Sequence, residues 1–509
     1  MIKKTQRILH QGGVMTVAWG ARLTGETNGL DVIGIRALDQ NIEASLANGI
    51  TTISPRARYT SILAWSIGFY LTYESEAGPV LYDEAAHAVF DNRVRFLVAA
   101  ATAVDTPASR RGVLGLEVFV KDLKALAAGG TVHMPTTGSF AVYNTYFQPS
   151  AAIGLVEVRS QRTGIDFGLT ARGSQIYEAR RKALEGSHLL DLLRHGGELD
   201  YETAVAAIPA FSLRRTGDIA EELALLREAV TVPWVPANAI AGQRVAASYQ
   251  RMADTRAWLD RELSAEPAQA NELIARNYAA AVNNSVAGIE LDWASFEWHR
   301  RVHFTLELLL TAISKTLQVK GSMSIAEVVA HWAATDAPEE ALAAHWNAPT
   351  AEAAALVAPG RFGNALLRPA HFNGLEPHIK AIRAFELLVT LDRDRAAMGL
   401  EPGGPNRSGA AVRTIEKLAA SNMTMAEVML AICDDCVVQQ HVFNTMRKMG
   451  NNQECSLRFY PDGPVLVPTE TTAGAGFSGS RLKNTMGFLV DLGLLSIGAN
   501  GAAVAGVAS

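Results

Sequence analysis

Along most of the chain apolar residues recur at intervals of three and four, the spacing of one helical face, while strict alternation is confined to short paired segments. The clearest helical run starts at Ser54-Pro55, where serine can cap an orphan amide and proline has its φ preset for the first turn. On a helix from Pro55, Arg58, Ile62, Trp65 and Phe69 form one stripe and Tyr59, Leu63, Ile67 and Tyr70 a neighbouring one, leaving little polar surface. Such a helix belongs in a core. The most apolar windows, Ile62 to Tyr73 and Phe96 to Val104, fall short of the ~20 residues a membrane span needs and read as buried helices. Gly217 to Val230 and Arg244 to Leu263 have helical spacing with mixed charge, as solvated faces of a bundle would, and Glu266-Pro267 ends the second. Trp293 to Thr311 is strongly amphipathic. Loops are expected from Pro359-Gly360 to Pro369 and from Glu401 to Pro405.

Two stretches repeat one outline. Ser139 to Gly154 is helix-compatible and ends in Ile153-Gly154, Leu155 to Val158 is a strand, residues 162–164 turn the chain, Ile165 to Leu169 returns, and Thr170 caps a helix through Leu184. Near the C-terminus Ser480 to Asp491 is a helix stopped by Gly493, Leu494 to Ile497 is a strand, Asn500-Gly501 is a hairpin signal and Ala502 to Val507 returns. Helix, strand, tight turn and strand are the outline of a winged helix, a unit used for DNA binding and also for packing or dimerisation. The expected fold is mainly α with small β-hairpins, a multi-domain helical protein with two winged-helix-like units. The expected blocks are 1–115, 116–195 (the first such unit), 196–400 (a helical bundle) and 401–509 (a helical segment and the second unit).

Composition narrows the chemistry. Three cysteines in 509 residues provide no disulfide framework, and the N-terminus lacks the apolar run of a signal peptide, so a reducing cytoplasm is the expected setting. With a formal charge of −5 the chain is no polycation, and any contact with nucleic acid must be local. The first unit has the charge for it: Arg159, Arg162, Arg172, Arg180, Arg181, Lys182 and Arg194 stand against Asp166, Glu178, Glu185 and Asp191. The second places Arg481 and Lys483 at the start of its helix, where amides and cations together suit a phosphate. His299 and His303, four apart, and Cys433, Cys436 and His441, with Cys455 beyond, have spacings that a metal could use. Helical periodicity around both sets favours plain packing, and no metal or other cofactor is expected. There is no P-loop, no G-x-G-x-x-G after a strand, no G-x-S-x-G and no H-E-x-x-H. Nucleotide-driven motors and the commoner hydrolases lose weight accordingly.

Arg56 and Arg58 occupy the first turn of the Pro55 helix, the positive end of its macrodipole, where an acid would be favoured. Such a site prefers an anion. An internal carboxylate, Asp31, Asp39 or Glu43, would make a structural cluster. A nucleic-acid phosphate would make a binding site, with Tyr59 or Trp65 beside an extruded base and a carboxylate performing chemistry.

The segments Asp31-Val32-Ile33-Gly34 and Ile53 to Tyr59, followed by Trp65, together with Leu169-Thr170-Ala171-Arg172-Gly173 and the run from Arg481 to Leu495, resemble a group of largely uncharacterised bacterial proteins associated with phage defence. The resemblance implies an intracellular protein acting on foreign DNA and supplies no reaction. Two functions follow as expectations. One is a metal-independent DNA glycosylase that grips double-stranded DNA through its winged units and removes an extruded, modified base, with Asp31 as catalytic acid, Arg56, Arg58, Tyr59 and Trp65 binding the substrate, and no cofactor. The other is a non-catalytic DNA sensor or adaptor that recruits a separate defence effector. Neither involves a membrane.

Overall fold

The computed structural model describes residues 32–76, 83–107, 112–158, 167–234, 239–359, 362, 367–400, 410–419, 422–450, 456–470, 474–477, 480–498 and 503–505. Its first helices are α1 (Arg36–Leu46), α2 (Arg58–Glu76) and α3 (Glu84–Asp105). Helix α2 starts three residues later than Ser54-Pro55 predicts. Ser54 accepts from the Arg56 amide at 3.2 Å but donates to the Gly112 carbonyl at 2.6 Å, so it bends the approach to the helix without beginning it. Along α2 both apolar stripes are buried, Ile62, Trp65, Ile67 and Tyr59 completely.

Next come α4 (Ala141–Ala152), strands β1 (Val156–Val158) and β2 (Phe167–Leu169), and α5 (Ala171–Ala183). The strands pair antiparallel, Val156 opposite Leu169 and Val158 opposite Phe167. Helix α5 lies close on α2 because Gly68 has no side chain: a Cβ there would sit 2.6 Å from the Tyr177 ring. Two further helices, α6 (Ala220–Thr231) and α7 (Ala239–Ala265), coincide with the mixed-charge runs. The α6 run is not simply a solvated face, since Glu222 is fully buried.

Helix α8 (Ile289–Lys320) ties the molecule together. Trp293 and Phe296 join a core built on α2 to α7, while Ala294 and Trp298 to Leu317 join a second core shared with α9 (Pro377–Ala397), α10 (Met425–Ile432) and α11 (Gln439–Gly450). The amphipathic reading of this helix needs correction. From Glu297 to Glu307 its charged positions are buried as well, and they are matched by internal partners rather than by water. Between α10 and α11 the turn widens into a π-helical stretch, Cys433–Val438. A three-stranded sheet edges the second core, with β3 (Met323–Ser324), β4 (Phe459–Asp462) and β5 (Val465–Pro468), β5 in the middle. Finally α12 (Arg481–Asp491), β6 (Leu495–Ile497) and β7 (Ala503–Ala505) return to the first core.

The chain is thus mainly helical with small antiparallel sheets. Among the described residues no helix is long and apolar enough to cross a membrane. Of the expected loops, residues 360–361, 363–366 and 401–409 lie outside the described residues.

Candidate nucleic-acid interface

The two helix–hairpin units close in the same way. After α4, Gly154 takes a left-handed φ of +71°, its amide donates to the Ala151 carbonyl at 3.0 Å, and the Leu155 amide donates to the Ser150 carbonyl at 2.8 Å. After α12, Gly493 takes φ +66°, its amide donates to the Val490 carbonyl at 2.9 Å, and the Leu494 amide donates to the Leu489 carbonyl at 2.8 Å. Both are glycine-terminated caps that turn a helix into a strand, and only glycine enters that φ region without strain. Leu-Gly-Leu in one unit and Ile-Gly-Leu in the other encode it.

In the first unit the returning strand is pinned to the start of α5. Thr170 Oγ1 accepts from the Gly173 amide at 3.0 Å as N-cap and donates to the Gly154 carbonyl at 2.6 Å. Helix α4 turns Val142, Tyr146, Phe147 and Ser150 inward and leaves Asn144 and Gln148, one turn apart, exposed. In the second unit Ser480 caps α12 through the Leu482 amide at 3.0 Å, and β6 and β7 pair antiparallel. Both hairpin tips, 159–166 and 499–502, lie outside the described residues, and Arg159 and Arg162 with them; Asp31 and Cys455 are likewise outside.

The cations expected to meet phosphate divide into two groups. Arg56, Arg58, Arg172, Arg180 and Arg481 are spent within the chain. Arg56 pairs with Asp491 at 2.6 Å, both side chains being nearly buried. Arg58 is fully buried, with Glu222 at 3.0 Å and the carbonyls of Ser212 at 2.7 Å and Pro209 at 2.5 Å as acceptors. Arg180 is equally buried, donating to Glu222 at 2.6 Å and to the Ala210 carbonyl at 2.6 Å, its guanidinium 5.5 Å from the Trp65 and Phe211 ring centres. Arg172 donates to the carbonyls of Ile153 and Val232 and to the Tyr249 hydroxyl, and Arg481 to the Ile50 carbonyl. Arg181, Lys182 and Lys483 are exposed.

The anion at the start of α2 is therefore an internal carboxylate, Asp491, and of the expected acids Asp39 and Glu43 are engaged elsewhere, with His303 and with the start of α12. Gly487 of α12 packs on Pro55, and one turn later Asp491 accepts from Arg56 and from the Ala57 amide at 3.2 Å. The aromatics beside it also face inward. Tyr59 stacks on Tyr146 with ring centres 4.6 Å apart, and its hydroxyl accepts from the Leu114 amide at 2.8 Å. Trp65 lies against Phe69 and edge-on to Phe211. Arg56, Arg58, Tyr59 and Trp65 are thus all buried and present no face to an extruded base.

The same device closes the helix starts of both units. Asp91 accepts from the Val142 and Tyr143 amides at the start of α4, each at 3.2 Å. Glu43 accepts from Ser480 Oγ at 2.8 Å and from the Arg481 and Leu482 amides at the start of α12, so that terminus is not open to phosphate. Burial pushes Asp91 and Glu43 up to about 7 and Asp491 up to about 6, against the pull of the amides and guanidiniums they hold.

Of the histidine and cysteine sets, His303 and His441 are committed within the chain. His303 Nδ1 faces Asp39 at 3.1 Å and Nε2 faces Glu307 at 3.2 Å, so both nitrogens donate as imidazolium. Burial opposes that charge, but the two carboxylates outweigh it and raise the ring to about 9. His441 uses both nitrogens on backbone: Nε2 accepts from the Arg458 amide at 3.0 Å and Nδ1 faces the Val32 carbonyl at 2.8 Å, which makes it a neutral ring protonated at Nδ1. Cys433 and Cys436 are buried in the π-helical stretch as free thiols, both pushed up by burial.

A pH dependence follows for His303. Its folded value lies above 6.5, so its stabilising charge is fully present below about 6.5 and is lost as pH rises through about 9. Over pH ~6.5 to ~8.5 His303 should account for about 2 kcal/mol of lost stability, added to a smaller loss in the same direction from Asp91 and Glu43, so urea unfolding of His303→Gln should show a pH dependence shallower by about 2 kcal/mol across that range. An unchanged slope in the variant would place the charge elsewhere.

No known protein family, no curated protein and no solved structure matches this chain.

Proposed function

We propose that the protein binds double-stranded DNA through its two helix–hairpin units, read as winged helices, and that it acts as a sensor or adaptor rather than on a base. The observation that carries the reading is the repeated unit itself: the same glycine-closed turn from helix to hairpin occurs twice, at Gly154 and at Gly493, in a mainly helical chain. The resemblance to proteins associated with phage defence implies foreign DNA as the target, and the sensor reading calls for a separate effector as partner. Base removal has lost its support, because Arg56, Arg58, Tyr59 and Trp65 are committed to the interior.

Phosphate contact then falls to exposed cations. Arg181 pairs with Glu178 at 2.8 Å and Lys182 with Glu221 at 3.8 Å, all four side chains about half exposed. Surface pairs of this kind contribute ~0–1 kcal/mol, so a phosphate can take either cation at little cost. Lys483 stands in the first turn of α12.

Replacing Arg181, Lys182 and Lys483 together with alanine should weaken DNA binding whatever the sequence and flatten its salt dependence by up to about 3 units of slope, roughly 0.9 per lost phosphate contact. Fluorescence anisotropy with a labelled duplex across a salt series measures it. Arg172→Ala is the control: its partners are internal, so it should lower stability and leave the slope unchanged. If the triple variant keeps both the affinity and the slope of the native chain, the proposal fails.

A further inference from the structure

The two helix–hairpin units share a register as well as a closing turn. Counted back from Gly154 and Gly493, the burial patterns of α4 and α12 run in step: Tyr146 and Phe147 are buried in one where Thr485 and Met486 are buried in the other, and Ser150 where Leu489 is. The open positions match too. Ten residues before the glycine stand Asn144 and Lys483, both exposed, and six before it stand Gln148 and Gly487.

At that second position the units part. A Cβ on Gly487 would lie 2.6 Å from the Pro55 side chain, so α12 is pressed there against the approach to α2 and has no side chain to offer a ligand. Gln148 is exposed, and both positions are therefore open on α4 alone.

Four residues apart, Asn144 and Gln148 share one side of the helix, about 6 Å from each other along its axis. Among the described residues neither side chain has a hydrogen-bond partner. Helix α4 contains no charged residue, so this face has neither a carboxylate to repel a duplex nor a cation to hold one whatever its sequence. Each carboxamide presents a donor and an acceptor together. Adenine presents the complementary pair in the major groove, N7 as acceptor and the N6 amino group as donor, and Asn or Gln can meet both at once. A helix about 10–12 Å across enters a groove about 12 Å wide, and about 6 Å along it corresponds to about two base steps.

We propose that the first unit reads adenine: α4 lies in the major groove with Asn144 and Gln148 each bidentate to one adenine, while the second unit, with Gly487 at the matching position, reads no base. The inference rests on the DNA-binding reading and adds to it the kind of sequence that is bound.

The test starts from a pool of duplexes randomised over a central stretch, from which the full chain selects its ligands. The selected duplexes should carry two fixed adenines about two steps apart. Fluorescence anisotropy then compares a selected duplex with an unselected one. Asn144→Ala and Gln148→Ala should each weaken binding to the selected duplex about tenfold, as loss of one bidentate base contact would, and leave the unselected duplex and the salt slope unchanged. Both residues are exposed, so the thermal midpoint should not move. The double variant should bind the two duplexes alike. Placing 7-deazaadenine, which lacks only the N7 acceptor, at the selected positions should weaken the native chain and leave the double variant unaffected. A chain that binds no duplex would overturn the DNA-binding reading and this inference together. Salt-dependent binding without an adenine preference, or a preference that survives in the double variant, would overturn this inference alone.

Discussion

Glu222→Gln is expected to cost about 3–5 kcal/mol of stability, a large share of the 5–15 kcal/mol that typically holds a folded protein together. The substitution keeps the shape of the side chain, removes its charge and turns one acceptor oxygen into a donor that faces other donors. That charge sits between Arg58 at 3.0 Å and Arg180 at 2.6 Å, all three side chains fully buried, with the Ser61 hydroxyl also donating to it. Burial alone would raise the Glu222 carboxyl, but Arg180 and Arg58 outweigh it and hold the group below its ordinary value. Without the carboxylate, two guanidiniums remain in the core with one amide oxygen and the carbonyls of Pro209, Ala210 and Ser212 for compensation, and no negative charge. Arg58→Met should also destabilise strongly, since it strips donors from Glu222 and from two carbonyls. Because the groups act as one cluster, the double variant should lose clearly less than the sum of the singles. Urea unfolding of the three variants decides between the two ways of satisfying Arg58. A phosphate-binding arginine at a helix start would be replaced with little loss of stability, so an Arg58→Met chain as stable as the native one would contradict the inward placement.

This cluster also shows what the sequence reveals and what it hides. Arg58 lies on the same helical stripe as Ile62, Trp65 and Phe69, Arg180 follows Gly173 and Ile176 at helical spacing, and Glu222 shares a stripe with Ile219, Leu226 and Ala229. A charge on an apolar stripe must find a partner inside the core, and these three residues find one another. Periodicity alone therefore signals that each is buried. It does not say which acid meets which base, because Glu222 and Arg58 are 164 residues apart and nothing local links them. Asp491 was less legible still: it reaches Arg56 across 435 residues, and only the packing of Gly487 on Pro55 brings it there. The helical content, both hairpins, the cap at Thr170 and the helix starting at Ser480 are readable, since they depend on neighbours within a few positions. The start of α2 is not readable from Ser54-Pro55 because Ser54 bonds to the Gly112 carbonyl, 58 residues away, and bends the approach instead of beginning the helix.

Gly173→Ala is expected to destabilise by more than the 1–3 kcal/mol usual for an overpacked core position. In most helices this exchange is favourable, because alanine has the higher propensity. Here the new Cβ would lie 1.8 Å from the Leu155 carbonyl oxygen and 2.9 Å from its carbon, both backbone atoms that no rotamer change can move. Leu155 itself is fully buried, and its carbonyl accepts from the Thr170 amide at 3.3 Å, so it cannot retreat without opening the base of the hairpin. Either the start of α5 lifts away, breaking the Thr170 cap, or β1 shifts out of the core. The glycine of Leu-Thr-Ala-Arg-Gly thus has a steric role: it lets a helix cross the mouth of a hairpin at contact distance. Gly217→Ala is the matched comparison, because the nearest atom to its added Cβ is 4.0 Å away, and it should change stability by no more than about 0.5 kcal/mol. Denaturant midpoints for the two variants provide the stability measurement, and duplex affinity measured where Gly173→Ala is still folded provides a second. If the hairpin is the DNA-binding wing, affinity should fall even there, because the strand and helix that position it have moved apart. A Gly173→Ala chain as stable as the Gly217→Ala chain would show that this junction yields at no cost, and the close crossing would then constrain neither the fold nor the hairpin.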